Sequence, residues 1–174
     1  YPFKETLRSN KNKKNIIENI DIGGPTMVRA AAKNFNDVTV ITSKDDYPDL
    51  IHELKKNNGK TSLKFREKMA SKAFGLTAFY DSIIANWFNK NLDIVFPTYK
   101  TLFGQKILQL RYGENPHQKS SLYLSDLKND KLNFVQLNGK ELSHNNLNDI
   151  FASLDMLFSK NKMPTTVIVK HANP

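Results

Sequence analysis

The chain contains no cysteine, which excludes disulfides and thiolate metal sites and fits a reducing compartment. No apolar run approaches the roughly 20 residues that a membrane span needs, and no signal-peptide pattern is present. We therefore expect a cytoplasmic protein with no membrane partner, and the absence of clustered ligands predicts no metal site. The chain has 174 residues, of which 39% are hydrophobic and 25% charged, enough for one ordinary domain or two small or incomplete ones.

Acidic residues are scarce relative to basic ones, and the net charge is +9. This excess leaves open one alternative, a basic nucleic-acid-binding module that uses the lysines and a long predicted helix. However, the lysines are scattered among asparagines, as in residues 11–14 and 55–58, which is typical of solvated surface. We therefore expect anionic small ligands, phosphates included, and no nucleic-acid partner.

The spacing of apolar residues predicts an α/β fold, because helical and strand-like periods alternate along the chain. Before residue 90 the pattern predicts a loop and a short helix over 4–19, a helix beginning near Pro25, a buried strand at 38–42, a helix from about Pro48 to Gly59, and a long helix over 62–89. The aromatic stripe of the long helix is assigned to the core, and Gly75 allows a bend in its middle.

Residues 90–104 are irregular and form the predicted domain boundary, which gives domains at 1–103 and 104–174. Beyond it the pattern predicts short strands at 106–110, 120–124 and 134–137, a turn at Asn138-Gly139, a helix over 145–159 and an apolar strand at 165–169. The sequence begins at Tyr1 without an initiator methionine and stops at Pro174 directly after that strand. We expect an internal piece of a longer protein.

The first candidate cluster lies at a Gly-Gly-Pro corner, between Asp21 and Lys33. Pro25 suits the first helical position, and the glycines leave N–H groups uncovered where the helix dipole is positive. Asp21 would repel a phosphate there, so we expect it to handle a proton or a neutral part of a ligand. Lys33 tilts back toward the corner and shares a face with Arg29. Taken alone, a helix cap plus a surface ion pair explains this cluster slightly better.

The second cluster is LRYGENPHQ at residues 110–118, which follows a predicted strand. Arg111 offers a planar fork for phosphate or carboxylate, and Tyr112 adds a ring and a hydroxyl. A purely structural loop rarely needs so many different hydrogen-bonding groups, so we interpret this loop as functional.

The third cluster, Lys170-His171, directly follows the apolar strand. Ligands gather at the carboxyl ends of strands in open α/β sheets, and a histidine there can act as a general base near neutral pH. As a bare dipeptide the pair is weak evidence. His144 is expected to cap the following helix, and His52 to be exposed.

Together these motifs resemble the bifunctional purine biosynthesis enzymes that join AICAR transformylase to IMP cyclohydrolase. The matching stretches occur in the family's order over essentially the whole chain. They are residues 1–3 (YPF), 20–34 (IDIGGPTMVRAAAKN), 38–40, 110–118 (LRYGENPHQ), 137–140 (LNGK) and 169–174 (VKHANP).

The resemblance implies a fold and an activity for each part. Residues 1–103 would end a cyclohydrolase domain with a methylglyoxal-synthase-like fold, and residues 104–174 would begin a cytidine-deaminase-like transformylase domain. The transformylase moves a formyl group from 10-formyltetrahydrofolate, its co-substrate, to AICAR, giving FAICAR. The cyclohydrolase then closes the ring with loss of water to give IMP. It also implies a homodimer with shared sites and no tightly bound cofactor.

For the transformylase, the resemblance implies that His171 accepts a proton from the AICAR amine while Lys170 stabilises charge on the formyl group. Arg111 and Tyr112 match AICAR-binding residues. His117 and Asn146 are weaker candidates for substrate binding.

For the cyclohydrolase, Asp21 matches a residue that orients the nucleotide's carboxamide, with the backbone of Ile22 beside it. Lys33 matches the proposed proton donor or acceptor, and Tyr1 matches a family tyrosine counted among the catalytic residues. The family's upstream phosphate loops and most of its transformylase domain do not occur in this sequence. We therefore expect the chain alone to lack both activities.

Overall fold

The computed structural model describes residues 1–9, 12–125, 132, 134–158 and 164–173. Over these residues the protein is α/β, with six α-helices and one two-stranded sheet. The chain divides into two compact units, Tyr1–Phe103 and Gly104–Pro174. Assignment of each unit to one enzyme domain stays a prediction.

The first unit is helical, and the second contains the sheet and one helix. The first has α1 (Phe3–Ser9), α2 (Lys13–Glu18), α3 (Gly23–Lys33), a 3₁₀ turn (Lys44–Asp46), α4 (Tyr47–Lys56) and α5 (Leu63–Asn91). The second has β1 (Gln105–Leu110), β2 (Ser120–Leu124) and α6 (His144–Phe158).

Small residues bring α3 and α5 close together in the first unit. Ala32 of α3 is fully buried and forms one cluster with Ala70 and Ala73 of α5. Val28, Phe35 and Val40 pack around this cluster. The small side chain of Ala32 therefore allows α5 to approach α3 closely, and α3 packs against α5.

Aromatic rings fix the start of the chain on the second half of α5. Phe3 is buried and lies edge-on to Tyr80 and Trp87, with ring centroids 5.9 and 6.3 Å away. Such pairs add about 0.5–1.5 kcal/mol beyond their buried area. The Tyr80 hydroxyl accepts a 2.7 Å hydrogen bond from the backbone N–H of Asp21, so α5 also positions the entry to α3.

Arg66 of α5 donates hydrogen bonds to backbone carbonyls of two loops, the one after α3 and the one before α5. Its Nε donates to Phe35 O at 2.8 Å, one terminal nitrogen donates to Asn36 O at 2.6 Å, and the other donates to Thr61 O. Five N–H groups in a rigid fork make arginine suited to this task.

The second unit is built on an antiparallel pair of strands. Leu110 pairs with Ser120 and Gln105 with Leu124, with an irregularity between Lys106 and Leu108. The predicted strands at 106–110 and 120–124 are thus confirmed, as are the long helix and the helix that begins near residue 145. Ser159, the last residue of that predicted helix, lies outside the described residues.

Three predicted strands are wrong, because residues 38–42, 134–137 and 165–169 form no strand. A strand exists only where a neighbour accepts and donates its backbone hydrogen bonds. In the described part of the chain only β1 and β2 pair as strands. Apolar, β-branched sequence shows where a strand can form but not whether a partner is present.

Two details near the amino terminus also differ from expectation. Residues 4–19 hold two helices, α1 and α2, instead of a loop and one helix. Pro25 is the third residue of α3 rather than the first, since the helix begins at Gly23. Proline is still tolerated there because the first-turn N–H groups have no intrahelical partner. No helix in the described ranges has both the length and the apolar character to cross a membrane.

Arg66→Ala should lower the free energy of unfolding of the first unit by about 1–3 kcal/mol, because three backbone carbonyls lose a charged donor. Urea unfolding followed by fluorescence measures this, since Trp87 is the only tryptophan and lies in α5. Lys64→Ala, at an exposed position of the same helix, is the control and should change little. Equal stability of the Arg66 variant and wild type would contradict the assigned role.

Candidate functional site

The Gly-Gly-Pro corner is a helix entry that Asp21 caps. Its Oδ1 accepts a 2.9 Å hydrogen bond from Gly24 N, which satisfies one of the first N–H groups of α3. A Cβ on Gly24 would lie 2.5 Å from Asp21 Oδ2, so a larger residue at that position would displace the carboxylate. The structural alternative for this cluster was a helix cap plus a surface ion pair, and the helix cap is present.

Tyr1 and Ile22 lie beside this cap. The Tyr1 amino nitrogen is 3.5 Å from Asp21 Oδ2, and Ile22 is 72% exposed. Three of the residues predicted for the cyclohydrolase site are thus together at the start of α3, on an open surface.

Lys33 is not brought to this corner, because it is the last residue of α3. At about 1.5 Å per residue the helix places it about 15 Å from Gly23. Lys33 and Asp21 are both described residues, and no ion pair joins them. The surface ion pair that the structural alternative expected between them is therefore absent. Lys33 and Arg29 do share an exposed face, and the Arg29 guanidinium lies 5.5 Å from the Phe74 ring centroid.

In the second unit, the loop at 111–118 is a closed turn held by Gln118. Gly113 N donates to Gln118 O at 2.9 Å, and Gln118 Oε1 accepts from Asn115 N at 2.8 Å. A Cβ on Gly113 would lie 2.9 Å from Gln118 Cβ, so glycine is required. Gln118 is therefore a structural residue, while the His117 side chain is exposed.

This loop docks on the first turn of α6. Arg111 N donates to Leu142 O at 2.9 Å, and His144 N donates to Tyr112 O at 3.1 Å. The Asn145 amide adds a 3.2 Å bond to Glu114 O. The carbonyls of the loop therefore satisfy groups at the beginning of α6, which fixes Arg111 and Tyr112 relative to that helix.

Ser143, which the sequence analysis missed, is the N-cap of α6. Asn146 N donates to Ser143 Oγ at 3.3 Å, and Asn146 Oδ1 accepts from Ser143 N at 3.0 Å. This is a reciprocal capping box with asparagine in the place of the usual glutamate or glutamine. His144, expected to cap the helix, is instead its first residue. The Ser-x-x-Asn spacing is the signal that could have found the cap.

Tyr112 lies in a positive environment that favours its ionised form. Arg111 donates a 3.1 Å hydrogen bond to the Tyr112 hydroxyl. This bond, a second one from Ser143 and the charge of Arg111 lower the pKa of Tyr112 below its ordinary value. The arrangement presents a cation and a polarised hydroxyl on one surface, which suits an anionic or polar ligand.

Lys170 and His171 occupy a tight reverse turn. Lys170 N donates to Asn173 O at 2.9 Å and Asn173 N to Lys170 O at 3.1 Å, while His171 and Ala172 both have left-handed φ angles, 55° and 57°. A two-residue hairpin turn of this kind is usually made by Asn or Gly. Pro174, the last residue of this motif, lies outside the described residues.

The first half of α6 therefore connects the candidate residues of the second unit. It carries Asn146, it holds the Arg111–Tyr112 loop, and its Asp149 accepts a 2.8 Å hydrogen bond from Ala172 N. Sequence reasoning did not single out Asp149. In the part of the chain that the structure describes, no group of His, Asp or Glu side chains is arranged to hold a metal ion.

Comparison with known proteins gives consistent matches. The profile of the AICARFT/IMPCHase bienzyme family matches residues 31–174. Curated relatives include the bifunctional purine biosynthesis protein PurH of Bradyrhizobium diazoefficiens, 46% identical over 177 residues, and those of Mesorhizobium japonicum and Rhizobium johnstonii, 44% and 43% identical over the same length. Each match covers all of this chain and 33% of the relative, so the chain spans about a third of their length.

Arg111→Ala should raise the pKa of Tyr112 toward the ordinary tyrosine value, because it removes the main hydrogen bond and the charge that lower it. An ultraviolet titration of tyrosinate, with Tyr112→Phe to assign the signal, measures this pKa. Tyr80 is the internal control, since burial raises its pKa and the substitution should not change it.

The sign of the pH dependence follows from the direction of the shift. Ionisation of Tyr112 favours the folded state, because its folded-state pKa is the lower one. This contribution is present above the ordinary tyrosine pKa and is lost as the pH falls through the lowered value. A Tyr112 pKa that is the same with and without Arg111 would contradict the assignment.

Proposed function

The chain belongs to the AICARFT/IMPCHase bienzyme family, and on that basis we propose that it is part of an enzyme that makes IMP from AICAR in two steps. Residues 104–174 would begin the cytidine-deaminase-like transformylase domain. Residues 1–103 would end the methylglyoxal-synthase-like cyclohydrolase domain. The observation that carries the proposal is the assembly on α6, where Arg111, Tyr112, Asn146 and the Lys170–His171 turn are all held by one helix.

In the proposed formyl transfer, Arg111 and Tyr112 bind AICAR, and Asn146 and His117 are weaker candidates for additional contacts. The AICAR amine attacks the formyl carbon of 10-formyltetrahydrofolate and forms a C–N bond. His171 accepts the proton that the amine loses, and Lys170 stabilises the negative charge that develops on the formyl oxygen. The bond from the formyl carbon to the folate nitrogen breaks, and that nitrogen takes up a proton. FAICAR and tetrahydrofolate leave.

In the proposed ring closure, Asp21 and the backbone of Ile22 orient the FAICAR carboxamide, with Tyr1 beside them. The carboxamide nitrogen attacks the formyl carbon, and loss of water yields IMP. Lys33 would donate or accept a proton in this step. Because Lys33 and Asp21 lie at opposite ends of α3, a substrate that uses both from the same subunit must extend along the helix.

The remaining parts of the proposal follow from the family. We propose a homodimer in the cytoplasm that takes 10-formyltetrahydrofolate as co-substrate, without a tightly bound cofactor. Because the chain spans about a third of its relatives' length, both proposed sites would include segments outside these 174 residues, and the chain alone would be inactive. A coupled assay that detects IMP formation by the isolated chain would contradict this.

No observation on the described residues favours the nucleic-acid-binding alternative. Its own test is a salt-titrated binding assay with generic DNA and RNA. Binding that weakens steeply with salt would support it, because phosphate contacts release counterions.

In the intact protein that carries residues 1–174, single substitutions should impair one of the two steps without the other. His171→Ala should reduce formyl transfer by about 10²–10⁴-fold and leave FAICAR cyclisation unchanged, because it removes the general base of the first step only. Lys33→Ala should do the reverse. Separate assays of the two steps with AICAR and with FAICAR measure both effects.

His52→Ala and Lys64→Ala are matched controls, since both residues are exposed on helices of the first unit and neither belongs to a proposed site. Neither control should alter either step. If His171→Ala or Lys33→Ala disabled both steps equally in a folded protein, the proposed division of roles would be wrong.

A further inference from the structure

The Lys170–His171 turn has a backbone conformation that its residues do not favour. His171 and Ala172 both lie in the left-handed region, with φ of 55° and 57°. In that region the Cβ of an L-residue crowds the following carbonyl, so non-glycine residues rarely occupy it twice in succession. Unfavourable backbone of this kind persists only where surrounding contacts fix it, and it concentrates at functional sites.

The contacts that fix the turn come from two sources. Within the turn, Lys170 and Asn173 exchange backbone hydrogen bonds, and the Asn173 amide donates to His171 O at 2.8 Å. From outside the turn, Asp149 Oδ1 accepts a 2.8 Å hydrogen bond from Ala172 N, between residues 23 positions apart. The internal bonds define the shape of the turn, whereas the bond from Asp149 sets its place on α6.

The position of Asp149 on α6 links the turn to the rest of the candidate site. Asp149 follows Asn146 by three residues, so the two share a face of the helix. Asn146 closes the cap with Ser143, and the same turn of helix holds the Arg111–Tyr112 loop through His144 N. A change at Asp149 would therefore release the Lys170–His171 turn and leave the Arg111–Tyr112 loop in place.

We propose that Asp149 is a positioning residue for formyl transfer, which fixes the Lys170–His171 turn on α6 through its hydrogen bond to Ala172 N. The proposal rests on the proposed function, because the turn matters to catalysis only if His171 and Lys170 act in the reaction. Asp149 acts through the turn, so its loss should affect the rate of the chemical step more than the binding of AICAR.

The test uses the intact protein and compares Asp149→Ala with Asp149→Asn. Asparagine keeps an oxygen that can accept from Ala172 N, whereas alanine has none. Asp149→Ala should lower the kcat of formyl transfer by about 10- to 100-fold, the loss of a charge-assisted hydrogen bond. Asp149→Asn should recover most of that rate. The Kd for AICAR, measured by calorimetry, should change by less than about threefold in both variants.

Two further variants sharpen the test. Asp155→Ala removes an exposed carboxylate from the same helix and should leave formyl transfer unchanged. Adding Ala172→Gly to Asp149→Ala should restore part of the rate, since glycine adopts the left-handed conformation without steric cost.

The outcomes separate this inference from the proposed function. If the wild-type protein transfers the formyl group and Asp149→Ala does so with the same kcat, only the positioning role is overturned. The positioning role would also be wrong if Asp149→Asn lowered the kcat of formyl transfer as much as Asp149→Ala does. It would be wrong too if both variants lost AICAR binding along with the kcat. Absence of formyl transfer in the wild-type intact protein would instead overturn the proposed function itself.

Discussion

Both candidate sites depend on the same constraint, which is that the first turn of an α-helix has N–H groups without partners inside the helix. At α6 the partners are Ser143 Oγ and the carbonyl of Tyr112. At α3 the partner is the Asp21 carboxylate. In each unit the segment that supplies the partner also carries candidate binding residues. The need to satisfy these N–H groups therefore fixes where those residues lie.

The two units use this constraint differently. In the second unit the cap is a serine, and the candidate binding residues take no part in capping through their side chains: Arg111 is exposed and Tyr112 is half-buried. In the first unit the cap is Asp21 itself, so one Oδ1 lone pair is already committed to Gly24 N. A carboxylate has further lone pairs that can accept hydrogen bonds from a ligand. The corner is therefore a structural cap that still has acceptor sites for the proposed contact with a carboxamide.

The sequence predicted the elements whose signals are local. The long helix, α6, β1 and β2 follow from periodicity, and the loop at 111–118 follows from its concentration of polar side chains. The predicted strands at 38–42, 134–137 and 165–169 were wrong because pairing depends on a neighbour that periodicity does not reveal. Ser143 and Asp149 were missed for a related reason. Their role is set by which backbone group lies beside them, and in the case of Asp149 that group is 23 residues away.

The central proposal is that α6 assembles one AICAR site from the Arg111–Tyr112 loop and the Lys170–His171 turn. A crystal structure of the intact protein with AICAR bound tests this most directly. The account predicts that one AICAR molecule contacts Arg111 and Tyr112 while its amine lies within hydrogen-bonding distance of the His171 imidazole. An AICAR molecule bound to the loop with its amine far from His171, or bound away from α6 altogether, would contradict it.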